Sequence, residues 1–132
     1  SSAALKVASN NCLKHGVAER VVLLRGDLLE PLDDHVEMIV ANLPYVRESD
    51  LPLNDYEPAL ALNGGKDGLD RIRILCRQAG EKLNNGGYIL LEIGRGQVEM
   101  VADILCKAFP AAVIEVHKDL AGIDRVICLR LT

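Results

Sequence analysis

Short apolar runs separated by stretches of helical period most constrain what this chain can fold into. The runs at residues 21–24 (VVLL), 36–41 (VEMIVA) and 88–93 (YILLEI) are too short for buried helices and read as buried strands. Between them the period changes. Residues 2–15 place Leu5, Ala8, Cys12 and Leu13 at helical spacing, with Gly16 as a stop. Residues 68–83 put Leu69, Ile72, Cys76, Ala79 and Leu83 on one stripe, with Asp67 as the expected N-cap and Asp70 at the positive end of the helix dipole. A turn over residues 84–87 (NNGG) leads into the next strand. The helix over residues 97–109 aligns Val98, Val101, Ala102, Leu105 and Phe109. Two strands, residues 113–117 and 125–131, then close the chain with no helix between them. This alternation is that of an α/β fold. With 132 residues and 49% hydrophobic content, one core and one domain are expected.

Residues 47–66 break the alternation. They are polar, carry Pro52 and Pro58, and read as a long loop, of the kind that often forms a functional lid. No apolar stretch reaches the roughly eighteen residues of a membrane helix, and no signal peptide is visible at Ser1, so no membrane is expected. A net charge of -4 supplies no electrostatic footprint for nucleic acid. Cys12, Cys76, Cys106 and Cys128 lack metal-type spacing and read as buried free thiols, which suits a reducing cytoplasm. His15, His35 and His117 are scattered, and no catalytic role is assigned to them.

The run at residues 38–41 leads directly into Asn42, Leu43, Pro44 and Tyr45. In an open α/β sheet, the carboxyl end of a strand is where ligands bind. An amide NH2 is a poor nucleophile because its lone pair is delocalised, so it needs positioning more than deprotonation. The Asn42 side-chain carbonyl and the backbone carbonyls of an extended turn can accept its N–H bonds and hold it in line with an electrophilic methyl group. Tyr45 would cover one face of the flat group. By itself the tetrapeptide also fits an Asn-containing turn ended by proline.

The tetrapeptide resembles the Asn-Pro-Pro-Tyr signature of amino methyltransferases that use S-adenosylmethionine, with Leu43 in place of the first proline. Leu43 precedes Pro44 and so keeps an extended bias and a usable carbonyl. The segment from Tyr56 to Asp70 (YEPALALNGGKDGLD), Leu91-Glu92-Ile93-Gly94 with Gln97, and Asp119-Leu120-Ala121-Gly122 with Asp124-Arg125-Val126 are similar to the HemK/PrmC family, in the same order along nearly the whole chain. That family methylates the side-chain amide of glutamine in peptide chain release factors.

The resemblance implies a class I S-adenosylmethionine-dependent methyltransferase (Rossmann-like) fold with strand order 3-2-1-4-5-7-6 and an antiparallel last strand. It implies further that this chain lacks the first two strands, and with them the Gly-rich turn and the acidic residue that hold part of the cofactor. A longer enzyme is expected, with a substrate-recruiting helical domain upstream and the fragment alone inert. Its sheet edges would be left to self-associate. Asp27 and Leu28 fall where the family contacts the adenine end of S-adenosylmethionine, and Asn42 near its methionine part. Taken alone, Gly26-Asp27 is also an ordinary turn. Glu92 either supports the active-site loop by hydrogen bonding or is a buried structural carboxylate. Gly94-x-Gly96 reads as a strand exit rather than a phosphate loop.

Two other functions fit parts of the pattern. An N6-adenine methyltransferase on DNA or RNA meets the same planar-nitrogen problem, but it needs a basic groove and an extruded base. The other is a degenerate or truncated, non-catalytic module that binds a partner; intact Asn42, Pro44 and Tyr45 argue against degeneration but not against truncation.

Overall fold

The computed structural model describes residues 1–51 and 57–132. Pro52, expected in the long loop, and Tyr56, which opens the segment similar to the methyltransferase family, lie outside the described residues. The chain divides into two compact units, Ser1–Asp33 and Asp34–Thr132.

In the first unit, helix α1 spans Ser2–Lys14. It ends because the N–H groups of Gly16 and Val17 turn back to the carbonyls of Leu13 and Cys12, satisfying the last turn. Leu5, Ala8 and Cys12 are half-buried, whereas Leu13 lies exposed. A short 3-10 turn follows at Ala18–Arg20. The strand expected at residues 21–24 does not form. Its residues pair with no other segment among the described residues, and Val22 is 82% exposed. An apolar run predicts a preference for a sheet, but a strand exists only where a neighbour accepts its hydrogen bonds.

The second unit is built on a four-stranded sheet of β1 (Val36–Asn42), β2 (Leu83–Glu92), β3 (Val113–Lys118) and β4 (Asp124–Arg130), in the order β1-β2-β4-β3. β1 and β2 run parallel, and β4 is antiparallel to both β2 and β3. Two strands closing the chain without a helix can pair only through a reversal, and this one places the last strand inside the sheet. The elements between the strands are α2 (Ala59–Leu62), α3 (Asp70–Lys82) and α4 (Val98–Ala108). The long loop therefore holds more structure than its composition suggests, namely α2 and a 3-10 turn at Glu48–Asp50.

Cross-strand rows sort the side chains onto two faces. Ile39, Ile89 and Leu129 stand opposite one another, as do Ala41, Leu91 and Ile127. This face is covered by α3 and α4, whose Ile72, Leu75, Cys76, Ala79, Val101 and Leu105 are buried. Each fully buried Leu or Ile contributes about 1.5–3 kcal/mol. The stripe expected on α3 is buried in full, and Leu75 joins it. On the other face Met38, Val40, Tyr88 and Val113 are partly or largely exposed.

Three local expectations are corrected. Asp67 is not the N-cap of α3, since Leu69 holds that position. Instead the Asp67 carboxylate accepts the Leu69 N–H two residues on, and Arg73 hydrogen-bonds to it and holds its carboxyl down to about 2. The NNGG segment is no turn ahead of a strand. β2 already begins at Leu83, and residues 84–87 bulge opposite the single residue Glu37. Of the four free cysteines only Cys76 is buried; Cys128, for one, lies on the other face of the sheet, in register with Leu90 and Glu115.

Candidate active site

β1 delivers Asn42 to the carboxyl end of the sheet, in register with Glu92 of β2. Asn42 is exposed there, while Leu43, Pro44, Tyr45 and Val46 are half-buried as the chain leaves the sheet. Asn42, Leu43, Tyr45 and Val46, together with Glu57, Ala61 and Leu62, line a cavity of about 290 Å³. On its other side Tyr45 borders a second cavity of about 270 Å³, lined also by Arg47, Asp50, Arg95 and Gln97.

The loop is held from behind by the segment after α2. Val46 and Asn63 form a parallel bridge, in which the Val46 N–H donates to Leu62 O at 3.0 Å and the Gly64 N–H to Val46 O at 2.8 Å. The Glu48 N–H adds a bond to Gly65 O. Two glycines make this approach possible. A Cβ on Gly64 would stand 2.7 Å from Pro44 O, and one on Gly68 only 2.4 Å from Tyr45 O. Gly68 also has φ +79°, a region that side chains disfavour.

The Tyr45 hydroxyl donates to Glu92 Oε1 at 3.3 Å. Burial, and then the Glu92 carboxylate, push that hydroxyl above the ordinary phenol range, while the Arg125 guanidinium acts in the opposite direction. Tyr45 is therefore a neutral phenol at physiological pH. Arg125 is itself oriented, donating to Ile93 O at 3.2 Å and to Asp119 Oδ2 at 3.3 Å. The other Asp119 oxygen accepts the N–H groups of Ala121 and Ile123, and the Ile123 bond is the largest influence lowering its carboxyl. The turn between β3 and β4 thus aims a cation at the tyrosine.

Gln97 is the one buried polar residue among those described, at 7% exposure. Its amide donates to Tyr45 O at 3.0 Å and accepts the Gly94 N–H at 2.8 Å. Of the carbonyls along the loop, Tyr45 O and Val46 O are therefore occupied. Among the described residues no hydrogen bond reaches Leu43 O or Pro44 O.

The structure thus brings Asn42, Leu43 and Tyr45 to one cavity, whose lining does not include Pro44, and places Glu92 as the acceptor of the Tyr45 hydroxyl. Asp27 and Leu28 belong to the first unit, where the Glu30 N–H closes a turn onto Asp27 O and Leu28 holds φ +56°. The site parts whose roles sequence reasoning missed are Gln97, Arg125 and Asp119. Each carried one signal: a polar residue beside the strand-exit glycines, and an Asp–Arg pair flanking the final turn. No helix among the described residues is long and apolar enough to cross a membrane, and no group of three or more metal-ligating side chains is present among them.

No family model matches the chain. Individual proteins do. The chain is 40% identical over 138 residues to the release factor glutamine methyltransferase of Geobacter sulfurreducens, covering 96% of this chain and 46% of that protein. It is 43% identical over 115 residues to the ribosomal protein uL3 glutamine methyltransferase of Bradyrhizobium diazoefficiens, covering 83% and 34%. The chain spans about half the length of the release factor methyltransferases it matches. Among solved structures, the ribosomal protein L11 methylase of Lactobacillus delbrueckii subsp. bulgaricus superposes with a TM-score of 0.70 at 16% identity, over 100% of this chain and 55% of that one. The fold is that of class I methyltransferases.

Proposed function

We propose, from the premise that the chain belongs to the family of release factor glutamine methyltransferases, that it is the C-terminal portion of a catalytic domain methylating a glutamine side-chain amide in a peptide chain release factor. The observation that carries this reading is that Asn42 lines one small cavity with Leu43 and Tyr45, while Leu43 O accepts no hydrogen bond among the described residues. An incoming amide NH2 has two N–H donors and needs such acceptors. As its nitrogen gains a methyl group it becomes positively charged, and carbonyl dipoles fixed beforehand stabilise that charge without reorganising. Tyr45, steadied by Glu92 and Arg125, packs on the flat face of the amide and limits its rotation.

S-adenosylmethionine, as methyl donor, supplies the electrophilic carbon. Of this chain's residues, Asp27 and Leu28 would hold its adenine end. A carboxylate acceptor, a backbone donor and a half-buried apolar side chain in a turn with positive φ are the groups a purine edge and face require. Asn42 would lie near its methionine part. The four free cysteines fit a cytoplasmic setting. The 132-residue chain alone, in which β1 is an edge strand, is proposed to be inert and to self-associate.

The relative named for ribosomal protein uL3 favours a second reading of the substrate with unchanged chemistry. One assay separates the readings: methyl transfer by the full-length protein to a release factor, to uL3 and to adenine-containing DNA and RNA. Glutamine methylation of the release factor is expected. Asn42→Ala should lower that turnover by about two orders of magnitude, as removal of one fixed transition-state hydrogen-bonding group does. Adenine methylation, or near-normal turnover by Asn42→Ala, would overturn the reading.

A further inference from the structure

We infer that Gln97 is a positioning residue, whose buried amide decides which carbonyls of the Asn42–Tyr45 loop face the substrate. The inference rests on the functional reading above and adds to it the part that sets the site's geometry. Three successive carbonyls, from Leu43, Pro44 and Tyr45, enter the turn. Pro44 O already packs against Gly64, where a Cβ would stand 2.7 Å from it, so an amide substrate has Leu43 O and Tyr45 O to choose between. Gln97 removes Tyr45 O from that choice by donating to it at 3.0 Å. The same side chain accepts the Gly94 N–H at 2.8 Å, so the loop is tied to the exit of β2, whose Glu92 receives the Tyr45 hydroxyl. Loop backbone and Tyr45 ring are thus both referred to one strand.

The chemistry selects glutamine. The position needs one donor and one acceptor on a planar, uncharged group, and it is 7% exposed, so an ionised group would be left poorly solvated. The space is also closed. A Cβ on Gly68 would approach Gln97 Nε2 to 2.9 Å, and one on Gly94 would approach Gln97 Oε1 to 2.8 Å. Those two glycines make room for the amide, and its two partners fix its orientation, with nitrogen toward Tyr45 O and oxygen toward the Gly94 N–H.

The test uses the full-length protein with Gln97→Met and Gln97→Glu. Gln97→Met keeps the length and loses both bonds. Its kcat should fall about 10- to 100-fold through misplacement of the loop, with S-adenosylmethionine affinity changed less than about twofold. Gln97→Glu gives a distinct signature. A protonated carboxyl retains one donor and one acceptor, whereas the carboxylate has no donor. Its kcat relative to wild type should rise as pH falls and be lost as pH rises. Arg47, Asp50, Arg95 and Tyr45 line the adjoining cavity; they are present in wild type too, so the ratio removes their contribution.

Hydrogen exchange of the Val46 and Glu48 amides, bonded to Leu62 O and Gly65 O, provides a reading independent of activity and should quicken in Gln97→Met. Turnover within about twofold of wild type, an equal loss by Gln97→Glu at every pH, or unchanged exchange would overturn the inference. If the wild-type protein methylates no glutamine, the functional reading fails, and exchange alone decides the role of Gln97.

Discussion

Cys76 and Cys106 lie on neighbouring core helices and have opposite surroundings. Burial pushes the Cys76 thiol up to about 11, while Cys106 is exposed. The reactive form is the thiolate, so Cys76 is doubly protected, by inaccessibility and by protonation. Iodoacetamide in mildly alkaline buffer should alkylate Cys106 first and reach Cys76 only on unfolding, as read by peptide mass mapping. Equal labelling of the two in the native protein would contradict the packing of α3. At this scale much of the candidate site was legible in the sequence. Asn42 and Tyr45 announced themselves because their chemistry follows a strand directly. Gln97 did not, since its hydrogen bond to Tyr45 spans 52 residues and no local pattern encodes a partner so far away.

The segment from Leu62 to Asp70 works as a clamp on the loop, and its glycines make a contrast with Gly80 in α3. A Cβ at Gly68 meets Tyr45 O and strains the backbone, while one at Gly80 meets nothing within 4 Å. Gly68→Ala should destabilise the protein by about 1–3 kcal/mol and lower turnover as well. Gly80→Ala should stabilise it by about 0.5–1 kcal/mol through helix propensity. Thermal melts of the two variants check the pair, and shifts of the same sign would refute the clamp. Periodicity revealed α3, α4 and the strands that acquire neighbours, because a buried stripe is written in consecutive turns. It failed at residues 21–24 and at the NNGG bulge, where the outcome depends on what lies alongside. At Asp67 it found the right side chain and the wrong role, for the Asp67–Arg73 pair outweighs simple capping.

For the whole molecule, the sheet of the second unit sets the terms. Its order matches the 4-5-7-6 half of the expected methyltransferase sheet, and β1 stands at its edge with Met38 and Val40 exposed. Edge strands with apolar side chains recruit further strands. The 132-residue chain, expressed alone, should therefore increase in mass with concentration when measured by light scattering after gel filtration, and Val40→Lys should suppress the effect. A monomer at every concentration would remove the proposal of self-association. The bridge between Val46 and Asn63 has a different kind of consequence. The polypeptide departs from the site and returns to it through one hydrogen-bonded gate, so what lies between is bounded at its base. Closing a longer excursion there costs only about 0.6 kcal/mol for each doubling of its length. That segment is accordingly the natural place for descendants of this sequence to accept insertions while the residues at Asn42 stay undisturbed.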